Sequence, residues 1–253
     1  MSMLESIQTG RENKPPRLMI YGQEGVGKST LGASAPDAIF VQTEDGLGEI
    51  DCRKFPLAQN LGDVIAALTA LRDEDHEFRT VVIDSLDWLE RLIFDEVCKE
   101  FGVRSIEKAD GGFGKGYVDA LVHWRKVLSL LDDLRHKRGM MVILLAHAKV
   151  ERFEDPENTA YDRYAPRLHK HAASLIAEWV DAVMFATKRM RVSKDGDTRS
   201  IASPIGADGG ERVLRTNGSP ACIAKNRFSL PNEIPLSWDA FLQAYQNSVA
   251  PAS

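Results

Sequence analysis

The stretch Gly22–Ser29, GQEGVGKS, constrains the fold of this chain more than any other. It sets Gly22, Gly27, Lys28 and Ser29 in the spacing G-x-x-x-x-G-K-[ST], with a short apolar run, Leu18 to Tyr21, before it. Ser29 to Ser34 then reads as a helix stopped near Pro36. Strand, glycine-rich turn and helix in that order form a phosphate cradle, because glycines let the backbone wrap closely and turn several N–H groups inward. Gly22, Gln23, Glu24, Gly25, Val26, Gly27, Lys28, Ser29 and Thr30 are therefore the expected nucleotide-binding residues. Lys28 is expected at the β- and γ-phosphates and the Ser29 hydroxyl on Mg²⁺.

The rest of the chain supports an α/β domain. Ala38–Gln42, TVVID (80–84) and the most apolar run, MMVILLA (140–146), read as buried strands without clean alternation, which suits a mostly parallel sheet covered by helices. Helical periodicity appears in DVIAALTAL with Asp63 as a cap, in 85–101, in a long segment from Tyr117 to Lys137, and in HAASLIAEWV. DAVMFATKR reads as a further strand, residues 190–235 suggest a C-terminal β-hairpin region with a turn at Asp195-Gly196, and Ser237 caps a last helix that packs Phe241, Leu242 and Tyr245 inward. Residues 102–116 and 147–167 read as loops. The expected organisation is a flexible arm over 1–17, an ATPase core over 18–246 and a tail over 247–253.

Composition removes several classes of function. The net charge of −5 argues against coating nucleic acid wholesale but leaves room for a local basic groove. Three scattered cysteines fit reduced thiols better than a disulfide framework or zinc site. The N-terminus is too polar for a signal peptide and no apolar run is long enough to cross a bilayer, so a cytoplasmic protein without membrane partners is expected.

Two carboxylates extend the phosphate site. Asp84 ends an apolar strand, where it can reach the water shell of Mg²⁺ or cap the following helix. Many P-loop machines place a water-orienting glutamate directly after that aspartate, but here the neighbour is Ser85. Glu44, just past the strand Ala38–Gln42, is the best substitute, against the plain alternative of a solvated strand end.

These segments resemble the RecA-like recombinase core. The resemblance rests on FVQTEDGL for Glu44, TVVIDSLDWL for Asp84, VILLAHAKVER for a strand ending in a polar sensor, and CIAKNRFSLP for a basic segment. It implies ATP and Mg²⁺ as cofactors and Glu44 as the residue that activates water. It also implies His147 as the sensor, where the family usually has Gln. Lys225 and Arg227 would be cations reaching the ATP of a neighbouring subunit in a filament or ring. More narrowly, the short length, VVIDSLDWLE and YAPRLHKHAASLIAEWVDAVMF resemble phage-encoded ATP-binding proteins of the fourth Sak group, implicated in single-strand annealing and recombination. The implied partners are single-stranded DNA, other copies of the chain and a cognate single-strand-binding protein. With no RecA-type C-terminal domain and no helix-hairpin-helix domain in the sequence, annealing and strand pairing both stay open.

Two segments would face DNA in such an assembly. RSIEKADGGFGKG offers Arg104, Lys108, Phe113 and Lys115, with Phe113 able to stack on bases, or it is a surface turn. The segment 149–170 offers Lys149, Arg152, Arg163, Arg167 and Lys170, interspersed with five acidic residues. Tyr161 and Tyr164 either stack on bases or pack beneath the segment. His147, His169 and His171 have no recognisable ligand spacing, so phosphate sensing or helix capping is preferred to a metal site. Two other readings share the phosphate loop: a small-molecule or nucleotide kinase with 149–170 as its lid, and an ATP-gated scaffold for phage replication proteins.

Overall fold

The computed structural model describes residues 3–7, 9–10, 14–195, 199–205 and 210–249. After a 3₁₀ turn at Met3–Ser6 come β1 (Arg17–Gly22), α1 (Lys28–Ala33), β2 (Ala38–Gln42), β3 (Arg53–Lys54), α2 (Leu61–Asp73), β4 (Thr80–Asp84) and α3 (Leu86–Glu100). A 3₁₀ segment at Ile106–Gly111 leads to α4 (Lys115–Lys137), β5 (Met141–Phe153), β6 (Tyr161–Pro166), α5 (Lys170–Trp179) and β7 (Ala182–Lys188). Then follow β8 (Met190–Asp195), β9 (Arg199–Pro204), β10 (Arg212–Arg215), β11 (Lys225–Asn226), β12 (Glu233–Pro235) and α6 (Trp238–Val249).

The main sheet runs β12-β10-β7-β1-β5-β4-β2-β3. From β7 to β3 every pairing on this path is parallel, whereas β10, β11 and β12 join antiparallel. This is the expected mostly parallel sheet flanked by helices. Both faces of the strands are buried, which is why their sequences lack alternation. Met19, Tyr21, Val81, Ile83, Val142 and Leu144 face a core built with α2, α3, α4 and α5. Leu18, Ile20, Phe40, Val82, Ile143 and Leu145 face a second core closed by α1 and α6. The hairpin β8–β9 forms its own two-stranded sheet. Gly196 of the expected Asp195-Gly196 turn, and residues 250–253 of the tail, lie outside the described residues.

Three local expectations are corrected. Asn60, not Asp63, caps α2: its side chain accepts the Asp63 N–H at 3.1 Å, while the Asp63 carboxylate accepts the Gln59 N–H at 2.8 Å. The Asp63 carboxylate thus ties down the residue before the cap, and the cap sits three residues earlier than the apolar period suggests. Residues 102–116 are more than a loop. Ala109 is fully buried, and the glycine-rich link rises through Gly111, Gly112, Phe113 and Gly114, all at positive φ. Residues 147–167 are largely strand, because β5 runs on past the sheet and turns back as β6, pairing Glu151 with Arg163 and Phe153 with Tyr161. Cross-strand contacts stabilise this polar hairpin: Arg163 donates twice to Glu151, at 3.1 and 2.9 Å, and its guanidinium lies 4.0 Å from the centre of the Phe153 ring. The segment that the kinase reading offers as a lid is thus a strand pair continuous with β5.

The last helix follows expectation. The Ser237 hydroxyl accepts the Ala240 N–H at 3.2 Å, and Phe241 is buried, with Leu242 and Tyr245 packed against the same core.

Candidate active site

The register of the sheet brings the motif residues to one edge. Gly22 stands opposite His147 across β1 and β5, and Gln42 opposite Asp84 across β2 and β4. Carboxyl-terminal strand ends in an open α/β sheet form a ligand-binding crevice. Here they line a cavity of about 430 Å³ with Glu24, Gly27, Lys28, Ser29, Glu44, Asp84 and His147 among its walls.

The loop is shaped by glycine at particular points. Gly25 and Gly27 have φ of 70° and 105°, a region that side chains resist. A Cβ at Gly22 would run into the Ala186 carbonyl oxygen of β7. The Lys28 ammonium is folded back onto the loop, donating to the carbonyls of Gly22 and Gln23 at 3.1 and 3.0 Å. Burial pulls its pKa down, opposed by Asp84, Asp87, Glu44 and Glu24.

Ser29 donates to Asp84 Oδ2 at 2.6 Å, joining the two residues expected at Mg²⁺. Burial raises the Asp84 pKa, against the hydrogen bond from Ser29. A hydroxyl and a desolvated carboxylate side by side, with no arginine or lysine among the described residues in ion-pair contact with Asp84, form an oxygen donor set that a hard cation would satisfy.

Glu44 reaches the same cavity through an arrangement that the sequence did not disclose. The Ser85 hydroxyl donates to Glu44 Oε2 at 3.0 Å, while Thr43 donates its side chain to the Ser85 carbonyl at 2.7 Å. The backbone N–H groups of Thr43 and Glu44 both point at the Asp84 carbonyl, at 2.8 and 3.3 Å. The serine that occupies the place of a glutamate thus holds the glutamate of the neighbouring strand.

Asp87, in the first turn of α3, is a residue that sequence reasoning missed. Its side chain is only 4% exposed. It accepts the His147 backbone N–H at 3.1 Å, and His147 Nδ1 lies 3.1 Å from both of its oxygens. Nδ1 therefore carries the proton that it donates, which leaves Nε2 as the other polar atom of a ring lining the cavity. Arg167 donates to Asp87 Oδ2 at 2.9 Å and approaches Glu24 of the loop at 3.6 Å. Burial opposes ionisation of Asp87, but the hydrogen bonds from His147 and Arg167 prevail and hold its carboxyl well below the usual range. Asp87 lies three residues after a motif aspartate; a charged residue on the buried face of α3 was the available signal.

The expected DNA residues divide. Arg104, Lys108, Lys115 and Lys170 are exposed, and Phe113 is completely so. Lys115 lies 3.5 Å from Asp110. Arg152 is exposed and approaches Glu154 and Asp162, both at 3.8 Å. Lys149 donates to the Leu168 carbonyl at 2.9 Å, Arg163 is committed to Glu151, and Arg167 belongs to the Asp87 network. These last three are bound within the fold rather than presented outward. Tyr164 stacks on Phe185, with ring centres 4.8 Å apart, so it packs inward.

Lys225 and Arg227 lie outside the cavity walls. The Lys225 ammonium donates to the carbonyls of Ala177, Glu178 and Val180, at 2.6, 3.1 and 2.7 Å, and so closes the end of α5. Its three donors are used there, which leaves none for a distant phosphate. Arg227 is half-exposed and sits 3.7 Å from Asp181. His169 caps α5, accepting the His171 N–H at 3.5 Å, as its capping role required. Among the described residues no group of three or more His, Cys, Asp or Glu is arranged to hold a metal ion, and no helix is long and apolar enough to cross a membrane.

A family model described as an AAA domain matches residues 14–228. The SPbeta prophage-derived uncharacterized protein YorG of Bacillus subtilis (strain 168) is 23% identical over 201 residues, 78% of this chain. The chain spans 57% of that relative's length. Among solved structures, the RadB recombinase aligns over 88% of both chains with a TM-score of 0.47 and 13% identity.

Proposed function

The chain belongs to the AAA domain family, and from that membership we propose that it is a RecA-like ATPase of phage recombination that binds single-stranded DNA and promotes annealing or strand pairing as an oligomer. One observation carries the catalytic half: Glu44, fixed by Ser85, shares a cavity with Lys28, Ser29 and Asp84. The loop amides and Lys28 would hold the phosphates, and Lys28 would exchange its two carbonyl partners for phosphate oxygens. Ser29 and Asp84 would hold Mg²⁺, which when bound supplies charge neutralisation at the β- and γ-phosphates. Glu44 would orient the attacking water, and His147, steadied by Asp87, would stand beside it. This is positioning and electrostatics rather than covalent catalysis.

The DNA half is supported by the resemblance of the segments around Glu44, Asp84 and His147 to RecA-like recombinases, and by the prophage origin in the name of the YorG relative. The exposed ridge of Arg104, Lys108, Phe113 and Lys115 is the best placed surface for it, with Phe113 stacking on a base. Lys170 and Arg152 would contribute from the β5–β6 side. Arg227 is the better of the two candidates for reaching a neighbour's nucleotide, with Lys225 shaping the surface around it. A host-cytoplasmic location and a cognate single-strand-binding protein complete the reading.

The test measures phosphate release from ATP with and without single-stranded DNA. Stimulation by DNA, lost in Phe113→Ala together with DNA affinity, supports the proposal; a phosphorylated small-molecule product in place of free phosphate would overturn it. A further check is Lys28→Ala, expected to weaken ATP binding by about tenfold or more, since a charged hydrogen-bond donor to phosphate is removed. Unchanged affinity would refute the cradle assignment.

A further inference from the structure

Arg212 has no place in the motifs, yet it lies against the phosphate loop. It begins β10, and its carbonyl accepts the Leu236 N–H at 3.0 Å, which fixes the strand end. A Cβ built on Gly27 would come within 3.0 Å of its Nη1. Its side chain lines the main cavity and also a smaller cleft of about 240 Å³ between α1 and the β12–α6 junction. Gly27 and Thr30 are shared by both spaces, whereas Asp84, Glu44 and His147 line the main cavity alone. Arg212 thus stands at the end of the cavity away from the catalytic carboxylates.

Its charge is unbalanced. Arg189 is paired with Glu211 at 2.8 Å, and Arg215 approaches Glu233 at 3.7 Å, yet Arg212 between them in sequence makes no ion pair among the described residues. Arg215 is an odd number of residues away along β10, so the pleat sends it to the opposite face. Two cations, Lys28 and Arg212, therefore line one cavity. An exposed guanidinium lining the cavity beside the phosphate loop is suited to bind phosphate oxygens in a bidentate manner.

We propose that Arg212 binds the α- and β-phosphates of the nucleotide within its own subunit. This rests on the nucleotide-binding reading above. It makes Arg212 a binding residue for ATP and ADP alike, distinct from Glu44 and His147 at the γ end.

The test is equilibrium binding of Mg-ATP and Mg-ADP to the full chain, comparing wild type, Arg212→Ala, Arg212→Lys and Arg215→Ala, each checked for wild-type thermal unfolding. Arg212→Ala should weaken ATP and ADP by similar factors of about tenfold. Arg212→Lys should recover part of the loss, and Arg215→Ala should bind as wild type. Equal affinity of Arg212→Ala and wild type for both nucleotides would overturn the assignment while leaving the cradle intact. A loss confined to ATP would also overturn it, by moving the contact to the γ-phosphate. Wild type that binds neither nucleotide would overturn the cradle itself.

Discussion

Ser85 and Asp87 show how single side chains complete a site that the motifs only outline. Ser85 donates to Glu44, and Asp87 gathers His147 and Arg167 from β5 and the β6–α5 junction. Ser85→Ala should leave ATP affinity near wild type and lower turnover, because Glu44 loses the donor that orients it; unchanged turnover would mean the Glu44 position does not depend on Ser85. Asp87→Ala strands buried donors of His147 and the Arg167 guanidinium, and should lower the unfolding free energy by roughly 1–3 kcal/mol in denaturant titration. Gly22 to Thr30 and Asp84 were legible because a contiguous stretch or a strand end fixes their place. Asp87, Ser85 and Arg212 were not, because their roles come from side chains converging across distant segments, which no local spacing records. Lys225, Arg163 and Arg167 were read as outward cations; their acceptors are carbonyls and carboxylates brought near only by the fold.

Among the elements, the buried strands and long helices announced themselves through apolar runs and period. The β5–β6 hairpin did not, because its residues are charged and its stabilising pairs lie across the strands, as with Arg163 on Glu151 and Phe153. The join between α3 and α5 carries a pH dependence. Both Glu90 carboxylate oxygens accept the His169 N–H, at 3.1 and 2.9 Å, and burial raises the Glu90 pKa from 4.5 to about 7 despite that bond. A carboxyl with a raised folded-state pKa holds its proton more tightly when folded. Its contribution to stability is therefore full below the unfolded value of 4.5 and is lost as pH rises toward about 7. Glu90→Gln keeps an oxygen acceptor without the charge, so its melting temperature relative to wild type should be higher at pH 8 than at pH 5; a difference independent of pH would show that Glu90 does not titrate in this window. At the base of the glycine-rich ridge, a Cβ on Gly116 would run into the Ile106 carbonyl oxygen and approach Ala109 Cβ at 2.7 Å. Gly116→Ala should destabilise the chain by about 1–3 kcal/mol through this overpacking.

At the scale of the whole molecule, one mostly parallel sheet sets the nucleotide cavity at the carboxyl ends of its parallel strands, with one core on each face keeping the strand ends in register. The glycine-rich ridge and the β5–β6 hairpin extend outward, and α3, with Asp87 and Glu90 on its buried face, contacts the cavity network at one and the α5 start at the other. In the proposed oligomer, Arg227→Ala should depress ATPase at high protein concentration more than it weakens nucleotide binding, and an equal effect on both would argue against a contact between subunits. The most direct measurement pairs ATP affinity with phosphate release on the same samples of wild type and Glu44→Gln. Both proteins should bind Mg-ATP comparably, with release by Glu44→Gln slowed by about a hundredfold or more. Wild-type turnover in Glu44→Gln, or no ATP binding by either protein, would contradict the assignment of this cavity as an ATPase site.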